Sequence, residues 1–388
     1  MKIVIIANGY PNKKEPQWGC FEKDQAVALR NLGHQVSILY VDRRQILYWR
    51  KIGITKYIDN GLSIYSIFLG PLYGLSKISM QLQYWVVSRL FHIVFCKYIK
   101  NEGLPDIVYA HYMYNIAYAS FLTKKYRVPL VGIEHWSELN NTTLRKGVKL
   151  YGSIAYNNAD RLIAVSDSLR QKIREHFGKD SIVVHNMVGE LFVNYPIIEK
   201  LNPTKIIFIS VGSLLPVKGY DILIEAFSSI SEELQNWELR IIGEGKEHAR
   251  LQKMIDNSRL SGKIFLLGRK NRKEIVRYLS ESSIYISSSR SENFSVSVLE
   301  ALSVGLPVVA TICGGIRESI NEQNGLLVPV EDSNAMAKAL KTMVQDINKY
   351  NRKLIADGCN RRFAPQVIAQ QLTDIFEDVL REKRYGKS

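Results

Sequence analysis

"KIVIIA" (Lys2 to Ala7), "DQAVALRNLG" (Asp24 to Gly33) and "QVSILYVD" (Gln35 to Asp42) follow one another at the start of the chain. The first and third are short, β-branched apolar runs, and the second carries its apolar residues at helical spacing. Strand, helix, strand in that order is the grammar of a parallel sheet covered by helices on both faces. Four further runs repeat it: "DIVYAH", "PLVGIEH", "RLIAVS" and "SIVVHN", each ending in polar residues. In an open parallel sheet those carboxyl ends face the ligand crevice.

The pattern lapses over "VGELFVNYPIIEKLNPT" (Val188 to Thr204), which has two prolines and no period and reads as an interdomain linker. A second series then begins: "KIIFISVG", a helix over "GYDILIEAFSSI", "ELRIIGEG", "KIFLLG", "IYISSS", "PVVAT" and "GLLVPV". The expected fold is α/β, two tandem Rossmann-like domains facing a cleft. Residues 1–190 form the first domain and 204–365 the second. "QVIAQQLTDIFEDVLREKR" (366–388 with the tail) is a helix expected to cross back to the first domain. The length of 388 residues agrees, since it exceeds the usual size of one hydrophobic core.

The four cysteines, Cys20, Cys96, Cys313 and Cys359, are scattered, with no C-x-x-C pair and no metal spacing to histidine. They point to a reducing compartment and no structural zinc. "MKIVIIANGY" lacks the length and cleavage site of an export signal. "ISMQLQYWVVSRLFHIVFCKYIK" (Ile78 to Lys100) is broken by Gln81, Gln83, Arg89 and His92, too polar to span a bilayer. The net charge of +15 is uneven: residues 1–190 hold 25 Lys/Arg against 14 Asp/Glu, the remainder 27 against 23. Such a surplus favours an anionic partner, although solubility alone also explains it.

The residues that can carry chemistry gather at strand ends. In "SVGSLLPVKGYDILIEAF", Gly212 and Ser213 end a strand and Lys218 precedes a helix, where amides, helix dipole and ammonium meet as an anion site. Gly243 and Gly245 in "IIGEGKE" follow a strand and lead into a helix, and from spacing alone they read as a tight turn. In "RSENFSVSVLEAL", Glu292 lies in the turn after a strand and Glu300 in the helix that follows, with Val298, Leu299 and Leu302 on its buried side. Ser297-Val-Leu-Glu300 also fits a capping box, which would make Glu300 structural. Against that, a carboxylate near a helix start at the crevice can accept two hydroxyl bonds, as a ribose diol offers. His111 and His135 both sit at strand ends, where a lone histidine is more often packed than catalytic.

In their order and spacing these blocks resemble the nucleotide-sugar-dependent glycosyltransferases of family 4, retaining enzymes of GT-B fold. Glu292 and Glu300 match the E-x7-E signature, followed by "ALSVGLPVVATICGGIRESI" and "NGLLV"; "VGSLLPVKG", "IIGEG" and "ADRLIAVSDSLR" match upstream blocks. The likeness is specific over about Lys205 to Val330 and looser before it. It implies a transferase moving a sugar from a nucleotide diphosphate, UDP favoured, to a glycan or lipid-linked glycan in cell-envelope synthesis. It implies that Glu300 holds the ribose hydroxyls, and that Glu292 with the amides of Phe294, Ser295 and Val296 holds the sugar and diphosphate. Lys218 is the implied diphosphate ligand, stabilising charge on the leaving group. His135 resembles the family histidine beside the sugar, and Gly19, in "QWGCFEKDQA", the glycine of the loop over the diphosphate. Asn186 matches an asparagine of a turn otherwise little retained. The implied chemistry needs no metal and no resident cofactor beyond the nucleotide sugar.

Three departures stand out: Ser213 replaces the usual arginine, "ENFS" replaces E-G-F-G, and "HNMVGE" keeps little of the family turn. A sugar-nucleotide epimerase, a phosphorylase or a non-catalytic partner subunit shares the fold. A dinucleotide oxidoreductase should show G-x-G-x-x-G after the first strand, which "IIANGYPNKK" lacks. No helix-turn-helix, zinc spacing or RNA-binding signature supports a nucleic-acid partner. The expected location is the cytoplasm. The aromatics and spaced cations of Leu72 to Lys100 raise an anionic membrane surface as a further partner on its inner face, with a core helix as the plainer alternative.

Overall fold

The computed structural model describes residues 1–44, 50–70, 79–198 and 205–385. The chain divides into two compact units, Met1–His185 with Pro365–Ser388, and Asn186–Ala364.

The first unit is built on an eight-stranded sheet ordered β3-β4-β2-β1-β5-β6-β7-β8. Its strands are β1 (Lys2–Ile6), β2 (Gln35–Val41), β3 (Gly53–Asp59), β4 (Leu62–Phe68), β5 (Ile107–His111), β6 (Leu130–Glu134), β7 (Arg161–Ala164) and β8 (Ile182–Val183). β1 pairs in parallel with both β2 and β5, Ile3 standing opposite Val36 and Ile107. Ile3 to Ile6 are fully buried, which is why the run reads as continuous apolar sequence rather than alternation. The exception is β3, antiparallel to β4 through a turn in which Asn60 and Gly61 both have positive φ. That is the geometry of a two-residue hairpin.

Helix Met80–Glu102 buries Val87, Leu90, Phe91, Val94, Phe95 and Tyr98 and leaves Leu82, Trp85 and Ile93 exposed. It is a core helix along one face; residues 72–78 of the stretch considered for membrane docking lie outside the described residues. No helix among the described residues is long and apolar enough to cross a membrane. The last helix, Pro365–Tyr385, belongs to the first unit. It buries Ile368, Leu372, Phe376 and Val379, sets Phe376 on the Tyr109 ring at 5.1 Å, and bonds Thr373 Oγ1 to His34 Nε2 at 2.9 Å.

The second unit has six parallel strands ordered β11-β10-β9-β12-β13-β14: β9 (Ile206–Val211), β10 (Trp237–Ile242), β11 (Ile264–Leu266), β12 (Ile284–Ser287), β13 (Val308–Thr311) and β14 (Gly325–Val328). Phe208, Leu239, Ile286 and Val309 from four of these strands meet Leu223, Phe227 and Leu340 of the covering helices in one buried cluster. The linker reading needs correction at its start. Residues Glu190–Val193 form a helical turn that buries Phe192, and the Val188 amide donates to the Phe363 carbonyl at 2.9 Å. These apolar anchors tie residues 186–193 to the second unit. Residues 199–204 lie outside the described residues.

Candidate active site

Because all six strands of the second unit run the same way, the loops after β9, β10 and β12 gather at one sheet edge. After β9 come Gly212 and Ser213, then the turn Pro216–Lys218 and helix Tyr220–Ile230. After β10 comes Gly243, where φ is 154° and an added Cβ would lie 1.8 Å from the Gly212 carbonyl oxygen. Only a residue without a side chain lets the two loops approach so closely. After β12 comes the turn holding Glu292, followed by helix Val296–Ser303.

The structure brings Lys218 and Glu292 together. Lys218 Nζ donates to Glu292 Oε1 at 2.5 Å, and Ser289 Oγ donates to the same oxygen at 2.8 Å. The loop that carries Glu292 is clamped by Arg290, which grips Asp221 with two bonds of 2.9 and 3.1 Å and also pairs with Glu331. Burial disfavours the charged Asp221, but Arg290 and Arg250 outweigh it and hold the carboxyl below its usual value. Further along, Phe294 is buried against Phe363, its carbonyl accepting a 2.9 Å bond from Asn186 Nδ2. Asn186 thus supports this loop through the backbone, despite the weak motif around it.

Helix Val296–Ser303 is preceded by Ser295, whose side chain makes no capping bond. Its first-turn amides therefore keep their donor capacity at the sheet edge, a ready anion site. The capping-box reading of Ser297 and Glu300 is corrected. Ser297 is already inside the helix, its hydroxyl accepting from Tyr285 OH at 2.8 Å, and Glu300 lies beyond the position from which a capping box reaches back. Glu300 is nearly buried, with Arg272 Nη2 at 3.8 Å from its Oε1. Sequence reading missed Arg272, Arg290 and Asp221, since no motif links residues so far apart. Burial pushes the nearby Cys313 thiol up to about 11, so it is protonated at neutral pH.

In the first unit, Gly19 precedes helix Cys20–Asn31 with φ 74°, and a Cβ there would lie 2.3 Å from the Gly9 carbonyl oxygen. His135 follows β6 with its ring nearly parallel to that of His111, centroids 5.3 Å apart, and 5.0 Å from the Tyr112 ring. Burial, and then His135, hold the His111 imidazole well below its usual value. Two features here went unread. Tyr112 has φ 68°, an unusual backbone for an aromatic residue at a strand end. Glu134 is buried and accepts bonds from the amides of Met113, His135 and Trp136 and from Tyr156 OH, all between 2.8 and 2.9 Å. Its burial raises the carboxyl pKa against those four bonds. Glu134 thus fixes the backbone on which His135 stands. Among the described residues no group of three or more His, Cys, Asp or Glu is placed to hold a metal ion.

The chain is 25% identical over 343 residues to the N-acetyl-alpha-D-glucosaminyl L-malate synthase of Bacillus anthracis, covering 83% of this chain and 84% of that one. It is 24% identical over 360 residues to the putative teichuronic acid biosynthesis glycosyltransferase TuaC of Bacillus subtilis, covering 88% of each. The solved structure of Anabaena HepE in complex with UDP matches with a TM-score of 0.72 at 18% identity, over 97% of this chain and 100% of that one. At that identity the likeness shows the fold, which is GT-B. The family model described as Glycosyltransferase Family 4 matches residues 23–189 and that of Glycosyl transferases group 1 residues 194–360; the chain belongs to glycosyltransferase family 4.

Proposed function

We propose that the chain is a retaining hexosyltransferase that uses a nucleoside-diphosphate sugar, UDP by preference, to extend a glycan or lipid-linked glycan in cell-envelope polysaccharide or glycoconjugate synthesis. The observation that carries this reading is the Lys218–Glu292 pair beside an uncapped helix start, with Glu300 in the same helix. The diphosphate takes Lys218 and the amides from Phe294 to Val296, while Glu300 accepts the ribose hydroxyls and Glu292 the sugar hydroxyls. Gly212, Ser213 and Gly243 form the loops around them, and Gly19 and His135 keep the roles the resemblance implies. As the sugar C1–O bond to the diphosphate breaks, the acceptor oxygen bonds to C1 on the same face and its proton passes to a diphosphate oxygen. Lys218 and the helix amides carry the charge that develops on the leaving group, so no metal and no resident cofactor enter the proposal. UDP is favoured because HepE was solved with it, and envelope synthesis because of the likeness to TuaC.

The protein works at the cytoplasmic face of an anionic membrane in this reading. Support comes from the basic first half and from Leu82, Trp85 and Ile93 exposed on one stripe with Arg89, whose guanidinium lies 5.7 Å from the Trp85 ring. Failure to float with anionic vesicles would remove this part. Ser213, where the family pattern has arginine, favours one second reading, a non-catalytic partner subunit. UDP binding with no turnover of any UDP-sugar, hydrolysis included, selects it. The first test is calorimetric titration of UDP and GDP into the wild type and Glu300→Ala. The reading expects one nucleotide to bind and the variant to bind it at least about tenfold more weakly; equal binding by both proteins refutes the donor site.

A further inference from the structure

The first unit contains a cavity of about 640 Å³ whose walls come from the loops after β1, β2, β5 and β6 and from three helices. It lies at the carboxyl edge of that unit's parallel strands, and its size suits one or two sugar rings. Three arginines reach it, and they are not equivalent. Arg44 is neutralised by Asp42, at 2.8 Å, and by Glu15. Arg145 is paired with Glu138. Arg43 pairs with no carboxylate among the described residues. Its Nη2 donates to Asn8 Oδ1 at 3.2 Å and its Nη1 to Tyr118 OH at 3.3 Å, with the guanidinium 5.3 Å from the Tyr118 ring centroid.

Both neutral groups that hold Arg43 are themselves anchored. Tyr118 is fully buried, and Asn8 is fixed by its amide to Glu22 at 3.2 Å and by the buried Asn115, which donates to Oδ1 at 3.4 Å. A guanidinium placed only to stabilise the fold would be expected to sit on a carboxylate, as Arg44 and Arg50 sit on Asp42. Arg43 instead keeps its full charge and several free donors, oriented in advance, which is the arrangement that recognises a planar or tetrahedral oxyanion. Trp18, Tyr112, Tyr114 and Trp136 also line the wall, aromatic faces against which the C–H face of a sugar ring can lie.

We infer that this cavity takes the acceptor, and that the acceptor carries an oxyanion, a carboxylate or a phosphate, bound by Arg43. The inference rests on the glycosyltransferase reading for the role of the cavity, but its test does not depend on the donor. Matched probes separate the two anions from neutral controls: methyl β-D-glucuronide against methyl β-D-glucoside, and glycerol 3-phosphate against glycerol. Binding is read by tryptophan fluorescence, since Trp18 and Trp136 line the wall, and by saturation-transfer NMR, with UDP titrated separately. The expected result is that the charged member of at least one pair binds and its neutral partner does not, and that Arg43→Gln weakens it at least about tenfold while UDP affinity stays the same. Whichever pair discriminates identifies the anion. Arg43→Lys, keeping the charge without the planar fork, should recover part of the loss. If Arg43→Gln fails to fold, Tyr118→Phe makes the same comparison with a smaller loss. Equal binding of charged and neutral probes, no binding of either anion, or no effect of the variants overturns the inference. Loss of UDP binding in the wild type instead overturns the donor reading and leaves this result interpretable.

Discussion

Glu292→Gln separates two demands on Lys218. The Lys218 ammonium lies 2.5 Å from the Glu292 carboxylate, with 22% and 15% of the two side chains exposed. A diphosphate arriving at Lys218 must compete with that pair. Partly exposed ion pairs contribute up to about 1 kcal/mol, and the second bond from Ser289 places this one near the upper end. Neutralising Glu292 removes the competitor, so UDP should bind about fivefold more tightly. The sugar-bearing donor should not gain in the same way, because glutamine offers its hydroxyls no charged acceptor. Losing such a bond costs about 1.5–3 kcal/mol, or roughly ten- to hundredfold in kcat/KM. The assay is calorimetry with UDP at low and high salt, beside turnover of the preferred UDP-sugar. UDP affinity that is unchanged or lower in Glu292→Gln refutes the idea that the pair is held ready for exchange.

Glu300→Gln should weaken UDP about tenfold or more while moving the thermal midpoint by only a few degrees, since the helix start belongs to Ser295; a large drop in midpoint without loss of affinity would return Glu300 to a structural role. Gly243→Ala places a Cβ 1.8 Å from the Gly212 carbonyl and should cost about 1–3 kcal/mol together with UDP affinity, checked by denaturant titration. For His111, whose folded pKa is depressed by burial and then by His135, the unfolded chain takes up a proton near pH 6.5 that the folded one refuses. Stability is therefore full above about pH 6.5 and falls below it, by up to about 1.4 kcal/mol per pH unit. His111→Phe should flatten the fall in thermal midpoint between about pH 6.5 and 5.5, and an unchanged slope disproves the assignment.

The parallel strands were legible because burial on both faces writes them as continuous apolar runs, from Ile3–Ile6 to Val308–Ala310. The β3–β4 hairpin was readable in principle from Asn60-Gly61, but Lys56 and Asp59 interrupt β3 and its outer residues Tyr57 and Ile58 are exposed, so the alternation is blurred. Lys218, Glu292 and Glu300 share one local run of sequence each with a recognisable motif. The cavity around Arg43 does not: Asn8, Arg43, Tyr118 and Trp136 meet only because β1, β2, β5 and β6 are neighbours in the sheet, and no spacing records that. Ser297 and Glu300 show the opposite failure, where a capping pattern is present in the sequence but the helix starts from Ser295, two residues too early to use it.

That early entry has a physical logic. Elsewhere in the second unit, Asn271, Asp332 and Asn351 each accept a bond from their helix's first turn, a contribution of about 1 kcal/mol apiece. Helix Val296–Ser303 forgoes it, and Tyr220–Ile230 starts at Gly219 with no side-chain cap at all. Both begin at the sheet edge beside Lys218 and Glu292, where a side-chain cap would occupy the amides that the proposed donor site assigns to a diphosphate. The loss is offset nearby rather than at the cap. Phe294 buries its ring against Phe363, Asn186 holds the Phe294 carbonyl, and Arg290 ties the Glu292 turn to Asp221 and Glu331. Stiffening a loop from outside while leaving the helix start without a side-chain cap is what a binding site requires and a purely structural turn does not. It follows that replacing Ser295 with aspartate, whose carboxylate can accept from the first-turn amides and is favoured by the helix dipole, should stabilise the helix, by up to about 1 kcal/mol, and at the same time weaken UDP by placing a negative charge at its diphosphate. A variant that gained stability and kept its affinity would show that these amides do not bind the donor.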